Sequence, residues 1–181
     1  MNSSILNFEF ALLDSISGLK TEYLDKLMVF FTLLGENGFL WIVLSLVLIC
    51  FQKTRKIGIC VAIALVLDLL LVNITIKPLV ARPRPFALKP DIELLINTPK
   101  DFSFPSGHSA ASFAAAASVF FFNKKWGSVL LGVASVIAFS RLYLYVHYPT
   151  DVLGGIICGL LAAIAAYCIT IRIKKDAKPK E

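Results

Sequence analysis

Long runs of hydrophobic residues dominate this chain and predict membrane-spanning helices. Five runs are apolar enough to enter a bilayer, and they are residues 38–51, 57–76, 107–122, 126–146 and 149–171. The last two and 57–76 are long enough to cross its hydrocarbon core unaided. The run 38–51 is short, but residues 24–34 extend it backwards, with Gly35 and Gly38 marking a break. The pattern predicts five spans.

The N-terminal segment, residues 1–35, leaves two alternatives open. Residues 5–17 have the spacing of an amphipathic helix that lies on the membrane surface. The same residues could instead form part of a first crossing, which would bring the number of spans to six.

Composition supports a lipid-embedded protein. Hydrophobic residues make up 57% of the chain, charged residues only 17%, and the mean hydropathy is +0.78. One domain of 181 residues cannot hide so much apolar surface from water. We therefore expect residues 1–181 to form a single all-α domain, an integral membrane helical bundle.

The cations are distributed as a membrane topology requires. Ten of the 18 lysines and arginines fall in three segments, the turn after 51, the turn after 122 and the tail 172–181. Five spans place these segments on one side, which the positive-inside rule assigns to the cytoplasm. The net charge of +6 does not indicate nucleic-acid binding, since no interleaved aromatic and basic residues of the kind that bind single strands are present.

The opposite side then receives residues 77–105 and 140–150, with both histidines of the chain. It also receives six cations, which are Lys77, Arg82, Arg84, Lys89, Lys100 and Arg141. Long ordered loops in compact proteins are commonly functional, so 77–105 is predicted to carry part of an active site. Arg82 and Lys89 lie outside the motifs described below and are expected to be solvated.

An anion site is predicted where the polar stretch 105–108 meets an apolar helix. Ser106 is a good N-cap, and Gly107 has no side chain to block close approach. The free N–H groups and positive dipole of a helix start bind anions. Lys77, Arg84 and Arg141 would add charges suited to phosphate.

A candidate nucleophile lies further along the chain. His147 and Asp151 are four residues apart, and Pro149 favours a helix start between them. The Asp151 carboxylate can therefore reach one imidazole nitrogen of His147, fix its tautomer and leave the other nitrogen free to attack. With His108 and the cations, this set of residues suits phosphoryl transfer.

Three motifs in order carry a family resemblance. They are KxxxxxxRP from Lys77, PSGH from Pro105 and SRxxxxxHxxxD from Ser140, and they occupy residues 77–151 without a mismatch. This pattern resembles the signature of the type 2 phosphatidic acid phosphatase superfamily, and the flanking spans are similar to its membrane branch.

The resemblance implies a role for each matching residue. Lys77, Arg84 and Arg141 would hold the phosphate, together with Ser106 and the Gly107 N–H. His147 would attack phosphorus to give a phosphohistidine, and Asp151 would orient it. His108 would protonate the leaving oxygen and then help to activate water. No metal and no cofactor are required in this scheme.

The function expected from the resemblance is hydrolysis of membrane lipid phosphates or diphosphates, with the site facing outside a bacterial-type cell membrane. Undecaprenyl diphosphate is the favoured substrate. Phosphatidylglycerophosphate, phosphatidate and lipid A phosphates are alternatives. A non-enzymatic lipid-binding or transport protein is a different class, and hydropathy argues against a vanadate-dependent oxidase.

The remaining polar and aromatic residues are expected to be structural. Asp68 lies within a span and should make a polar contact inside the bundle, with Asn73 as one partner. Ser140 either bonds within the site or only packs. The four cysteines are expected to pack as small apolar residues, and three tyrosines are expected to form an aromatic belt at the interface, namely Tyr143, Tyr145 and Tyr148.

Overall fold

Every regular element in the described part of the chain is helical. The structure is a computed structural model that describes residues 3–176, with side chains to residue 173. The helices are α1 (Ser3–Ser17), α2 (Glu22–Leu34), α3 (Phe39–Cys50), α4 (Arg55–Asp68), α5 (Lys77–Val80), α6 (Pro85–Leu88), α7 (Gly107–Phe122), α8 (Lys124–Tyr143) and α9 (Pro149–Asp176). A 3₁₀ turn (Glu36–Gly38) precedes α3, and a π-helix (Leu69–Ile76) joins α4 to α5. The all-α membrane bundle is confirmed, while residues 177–181 of the predicted basic tail lie outside the described residues.

Among the described residues, three helical stretches are long and apolar enough to cross a membrane, and they are Arg55–Leu88, Lys124–Tyr143 and Pro149–Ile173. A fourth results if α2 and the stretch Glu36–Cys50, which meet at a 45° bend, form one broken span. Helix α7 is apolar but has only 16 residues, below the usual spanning length. The protein is thus a multi-pass membrane protein. These stretches give four spans by length. The predicted number of five is reached when α7 is counted as a span as well.

The bend between α2 and α3 lies at the predicted break. Asn37 and Gly38 have positive φ angles of 50° and 69°, a conformation that costs glycine little and that asparagine tolerates better than most residues. Helix α8 ends at Tyr143, three residues before the predicted boundary, and Tyr145 has a φ of 62° in the turn that follows. This turn redirects the chain from α8 towards His147.

Small residues let α7 pack closely against its neighbours. Residues 114–117, four consecutive alanines, are almost completely buried. Gly155 and Gly159 of α9 face the backbone of α7, so that a Cβ atom would lie 2.4 Å from the Ser106 oxygen and 2.2 Å from the Ala110 oxygen, respectively. Such contacts are typical of membrane helix interfaces. The Ser106 N–H also donates to the Asp151 carbonyl at 2.9 Å, which joins the beginnings of the two helices.

The two basic turns lie at one end of the bundle. The Lys56 ammonium group of α4 sits 5.2 Å from the ring centroid of Phe122 at the end of α7, and that ring contacts Tyr167 of α9. The beginnings of α7 and α9 and the end of α8 are at the opposite end. This arrangement agrees with the common side predicted for the turns after 51 and 122.

The predicted aromatic belt is wrong. Tyr143, Tyr145 and Tyr148 are each 0% exposed. The N-terminal helices α1 and α2 cover them, and the hydroxyls of Tyr143 and Tyr145 donate to Asp25 and Asp14 at 2.6 Å. The tyrosines therefore dock the N-terminal helices onto the bundle instead of facing lipid head groups.

The α7–α9 contact predicts that a Gly→Ala substitution within it and one outside it have opposite effects on protein stability. Gly159→Ala should destabilise the protein by about 1–3 kcal/mol, because its methyl group would overlap the Ala110 carbonyl. Gly132→Ala in α8 meets no atom within 4 Å and should stabilise the helix by about 0.5–1 kcal/mol. Thermal unfolding in detergent measures both. Equal melting temperatures for the two variants would contradict the close packing of α7 on α9.

Candidate active site

Six of the eight predicted site residues line one cavity of about 810 Å³, and they are Lys77, Arg84, Gly107, His108, Arg141 and His147. Ser106 and Asp151 do not line it. Both are completely buried behind its wall. The structure therefore brings all three sequence motifs to one place, with Asp151 supporting His147 from behind.

The π-helix determines which side chains of the span Arg55–Leu88, called the second span below, face this cavity. Asp68, Asn73 and Lys77 all line it, at spacings of five and four residues. Asp68 and Lys77 are nine residues apart and would lie on opposite faces of an α-helix with about 3.6 residues per turn. The i→i+5 bonding of the π-helix adds residues to each turn and brings them to one face. Gly107 fits against this face, since a Cβ there would lie 3.2 Å from Asn73 Oδ1 and 3.7 Å from Lys77 Nζ.

The three predicted phosphate-binding cations are buried and hydrogen-bonded. Arg84 donates from Nη1 to the Val146 carbonyl at 2.7 Å and from Nε to the Asp101 carbonyl at 2.9 Å. Arg141 donates from Nη1 to the Thr32 hydroxyl, while its Nε finds no partner among the residues that the structure describes. Protein groups thus fix both guanidinium groups in the cavity wall.

Asp101 is a site residue that the sequence analysis missed. Its carboxylate accepts hydrogen bonds from Lys77 Nζ and, at 2.6 Å, from Arg84 Nη2. Burial alone would raise its pKa, but the hydrogen bond from Lys77 and the charge of Arg84 hold the pKa well below its usual value. Its side chain is still 52% exposed. Asp101 therefore presents a carboxylate to two of the cations that would bind phosphate.

His147 is positioned as a nucleophile would be. Its ring is 1% exposed, with Nε2 3.2 Å from Arg84 Nη1 and Nδ1 3.5 Å from Asp151 Oδ2. Burial, followed by the charges of Arg84, Arg141 and Lys77, lowers the pKa of His147 well below its usual value. The imidazole is therefore neutral near pH 7. Because a guanidinium group only donates, the Nε2 lone pair accepts from Arg84 Nη1 and the ring proton lies on Nδ1.

Asp151 is held by more groups than the sequence indicated. Its Oδ2 accepts from the Ser103 hydroxyl at 2.5 Å and from the Tyr148 N–H at 2.9 Å, and its Oδ1 accepts from Arg82 at 2.6 Å. The expectation that Arg82 is solvated is therefore wrong, because its guanidinium group is largely buried and pairs with a buried carboxylate. Position 82 lies between the motif residues, and its spacing gave no sign of this role.

The start of α7 has the predicted geometry. Ser106 is the N-cap, and its hydroxyl accepts from the Ser109 N–H at 3.4 Å. The side chain of His108 lines the cavity, 3.1 Å from where a Cβ on Gly35 would lie. Gly35 at the α2–α3 break thus makes room for the His108 ring.

Three other polar residues received predictions. Ser140 donates to the Ile137 carbonyl of its own helix at 2.7 Å. Asp68 is buried, and its Oδ1 has no hydrogen-bond partner, so the expected contact with Asn73 is not made at this atom. Lys89 is not simply solvated, since it pairs with Asp14 at 2.7 Å. All four cysteines are free, and Cys60 is buried in the core.

Within the described residues, no group of three or more His, Cys, Asp and Glu side chains has the arrangement of a metal site. The cavity instead concentrates cations and imidazoles, which are groups suited to binding an anion.

Comparison with known proteins connects this geometry to a family. The model of the PAP2 superfamily matches residues 55–175. An undecaprenyl-diphosphatase of Sulfolobus acidocaldarius is 36% identical over 75% of this chain, which spans 66% of that relative. The Bacillus subtilis undecaprenyl-diphosphatase BcrC is 30% identical over 86% of this chain and 80% of its own length. The crystal structure of a transmembrane PAP2-type phosphatidylglycerolphosphate phosphatase from Bacillus subtilis superimposes with a TM-score of 0.77 at 25% identity, covering 99% of this chain and 90% of that one.

The position of Asp101 predicts that it competes with anions for Lys77 and Arg84. Asp101→Asn should bind inorganic phosphate about tenfold more tightly, roughly 1.4 kcal/mol, because one negative charge leaves the site. Isothermal titration of the detergent-solubilised protein measures this affinity. Asp91→Asn is the matched control, since Asp91 is an exposed acid of the same loop. Weaker phosphate binding by Asp101→Asn than by Asp91→Asn would contradict the competition.

Proposed function

Because this chain belongs to the PAP2 superfamily, we propose that it is a membrane phosphatase that hydrolyses lipid phosphates or diphosphates through a phosphohistidine at His147. Family membership confirms the resemblance drawn from the three motifs. The reaction assigned to this chain rests on one observation above all. The Nε2 atom of His147 faces a cavity lined by three buried cations, while Nδ1 points at a buried carboxylate.

In the first step, the His147 Nε2 lone pair forms a bond to phosphorus and the phosphorus–oxygen bond to the leaving group breaks. The negative charge of the bound phosphate favours the protonated form of His108, which gives its proton to the departing oxygen. Asp151, whose Oδ2 lies 3.5 Å from Nδ1, stabilises the positive charge that develops on the imidazole. The cations offset the charge on the phosphoryl oxygens, the kind of stabilisation that usually contributes most to catalysis.

In the second step, water attacks phosphorus and the bond to Nε2 breaks, which returns His147 to its neutral form. His108, now unprotonated, takes a proton from that water. Phosphate then leaves the cations, and Asp101 is placed to pair again with Lys77 and Arg84. No step in this sequence needs a group that the chain does not supply.

The cavity also accounts for a lipid substrate. The wall of the cavity also includes apolar side chains of α2, α3 and the second span, which are Leu33, Ile42, Leu46, Ile49, Leu65, Val66 and Leu69. Pockets that combine an apolar wall with a few polar groups orient amphipathic ligands. A phosphate at His147 would leave the hydrocarbon tail against α3 and the second span.

We favour undecaprenyl diphosphate as the substrate, with undecaprenyl phosphate and phosphate as products. Relatives named for this activity, at 30–36% identity, support the choice. Phosphatidylglycerophosphate is the second candidate, because the superimposable crystal structure is of a phosphatase for that lipid. Phosphatidate and lipid A phosphates remain alternatives within the same chemistry.

A panel assay tests the proposal. The purified protein should release phosphate from undecaprenyl diphosphate faster than from phosphatidylglycerophosphate, phosphatidate or a lipid A phosphate, in the presence of EDTA. His147→Ala should abolish release from all of them. Binding of these lipids without release of phosphate would instead indicate a binding or transport protein. Loss of activity in EDTA, restored by Mg²⁺, would contradict the mechanism.

The two histidines should respond differently to the leaving group. A lipid alkoxide needs a proton from His108, a contribution of about 10²–10⁴-fold, whereas p-nitrophenolate leaves readily without one. His108→Ala should therefore lose most of the first-step burst on a lipid monophosphate and little of it on p-nitrophenyl phosphate. A diphosphate should fall between these two. Equal loss of the burst in His108→Ala and His147→Ala on every substrate would refute this division of roles.

We also propose that the site faces outside the cytoplasmic membrane of a bacterial-type cell, since ten cations lie in the three segments predicted to be cytoplasmic. A cysteine introduced at Asp91 should react with an impermeant thiol reagent added to intact cells. One introduced at Lys125 should react only after lysis. The reverse labelling would invert the topology.

A further inference from the structure

A row of alternating charges extends from the proposed nucleophile to the N-terminal helix. Asp151 Oδ1 accepts from Arg82 Nη1 at 2.6 Å, and Arg82 Nη2 donates to Glu9 Oε2 at 2.6 Å. Glu9 is 1% exposed and the Arg82 side chain 10%. Charges buried this deeply persist only when they are paired, so the three groups depend on one another.

The same row also clamps the beginning of α9. The second oxygen of Glu9, Oε1, accepts from the Thr150 hydroxyl at 2.5 Å and from its N–H at 3.2 Å. Arg82 donates to the Thr150 hydroxyl at 2.7 Å, and its guanidinium carbon lies 3.8 Å from the ring centroid of Tyr148. Glu9 and Arg82 therefore both hold Thr150, the residue directly before Asp151, and Arg82 also packs on Tyr148.

We propose that Glu9 and Arg82 are positioning residues for Asp151 and, through it, for His147. This inference rests on the nucleophilic role proposed for His147. Arg82 fixes the carboxylate so that Oδ2 faces Nδ1 of the imidazole. Glu9 balances the charge of Arg82, so that Asp151, Arg82 and Glu9 together carry one net negative charge.

This net charge matters when His147 reacts. The imidazole is neutral before attack and positively charged once Nε2 is bonded to phosphorus and Nδ1 remains protonated. The negative cluster of Asp151, Arg82 and Glu9 and the positive imidazole then sum to zero charge. Without the charge of Glu9, the same step would create a buried net positive charge beside Arg84, which costs free energy in a site of low polarity. Glu9 should therefore act in the chemical step and not in substrate binding.

The N-terminal helix thus becomes part of the catalytic apparatus, although it lies outside the family match at 55–175. If α1 had a purely structural role, its contacts would only attach it to the bundle. The helix has a second contact that does only this. Asp14 bonds Lys89 at 2.7 Å and the Tyr145 hydroxyl at 2.6 Å, and it touches neither Arg82 nor Asp151. Asp14→Asn is therefore the matched control for Glu9→Gln, since each removes one docking carboxylate from the same helix.

The test measures kcat, KM and inhibition by two anions for the full-length chain in detergent. Vanadate mimics five-coordinate phosphorus bonded to His147, whereas inorganic phosphate occupies only the anion site. Glu9→Gln should lower kcat about tenfold or more and weaken vanadate inhibition to a similar extent. Its KM and its inhibition by phosphate should stay within about twofold of wild type. Asp14→Asn should leave all four quantities unchanged.

Three results would overturn the proposal. The first is a folded Glu9→Gln variant with the kcat of wild type. The second is a loss of kcat that is equal in Glu9→Gln and Asp14→Asn. The third is a Glu9→Gln variant in which inhibition by phosphate weakens as much as inhibition by vanadate. If Glu9→Gln does not fold, Arg82 provides the test. Arg82→Lys, which keeps the charge, should retain more kcat than Arg82→Gln, and equal kcat values would refute the proposal.

His147→Ala separates this inference from the proposed function. Full activity of His147→Ala would refute the nucleophilic role whatever the Glu9 variants show. An inactive His147→Ala together with wild-type behaviour of Glu9→Gln and Arg82→Gln would leave the phosphatase mechanism standing and refute only the positioning role.

Discussion

The burial of three cations at one end of the bundle is the constraint that shapes this site. Lys77, Arg84 and Arg141 are each no more than 6% exposed, and they point into the same cavity. Removing such charges from water is costly unless each finds a partner. Asp101 pairs with the first two, while Arg141 contacts the neutral Thr32 hydroxyl. The clustered cations suit this part of the cavity to an anion. Burial, together with the charges of Arg84, Arg141 and Lys77, keeps the imidazole of His147 neutral until it reacts.

Close helix packing holds the elements that carry these charged groups together. The glycines of α9 let its backbone lie directly on α7, and the N–H of Ser106 bonds the carbonyl of Asp151. The beginning of one helix therefore cannot move without the other. The N-terminal helices close the same end of the bundle by placing carboxylates on buried tyrosines and on Arg82. The apolar bundle thus fixes its polar groups relative to one another, as phosphoryl transfer by positioning requires.

The sequence predicted the helices and the motif residues because both depend on local signals. Apolar runs fixed α3, α4 with the π-helix that follows it, and α7 to α9 to within a few residues, but the short helices α5 and α6 lie in the segment predicted to be a loop. The spacing of the three motifs identified six residues that do line one cavity. The π-helix could not be foreseen, since its sequence LLLVNITI also suits an ordinary α-helix. Sequence spacing alone therefore did not show that Asp68 and Asn73 lie on the face of Lys77.

The missed residues owe their roles to contacts between distant parts of the chain. Glu9 and Arg82 are 73 positions apart and Arg82 and Asp151 are 69 apart, so no local pattern links them. One signal was present: Glu9 shares a helical face with Leu13 and Ile16, and an acid on an apolar face needs a buried partner. The tyrosines were placed wrongly for a related reason. Interfacial and buried tyrosines look alike in sequence until the helices that cover them are known.

The central claim is that phosphorus passes through a covalent bond to His147, and the stereochemistry of the reaction tests it most directly. A lipid monophosphate whose phosphorus is chiral through three oxygen isotopes can be cleaved in the presence of an acceptor alcohol. Attack by His147 followed by transfer to the acceptor inverts the configuration twice. The account therefore predicts net retention at phosphorus. Net inversion would show a single direct displacement and would contradict the proposed intermediate.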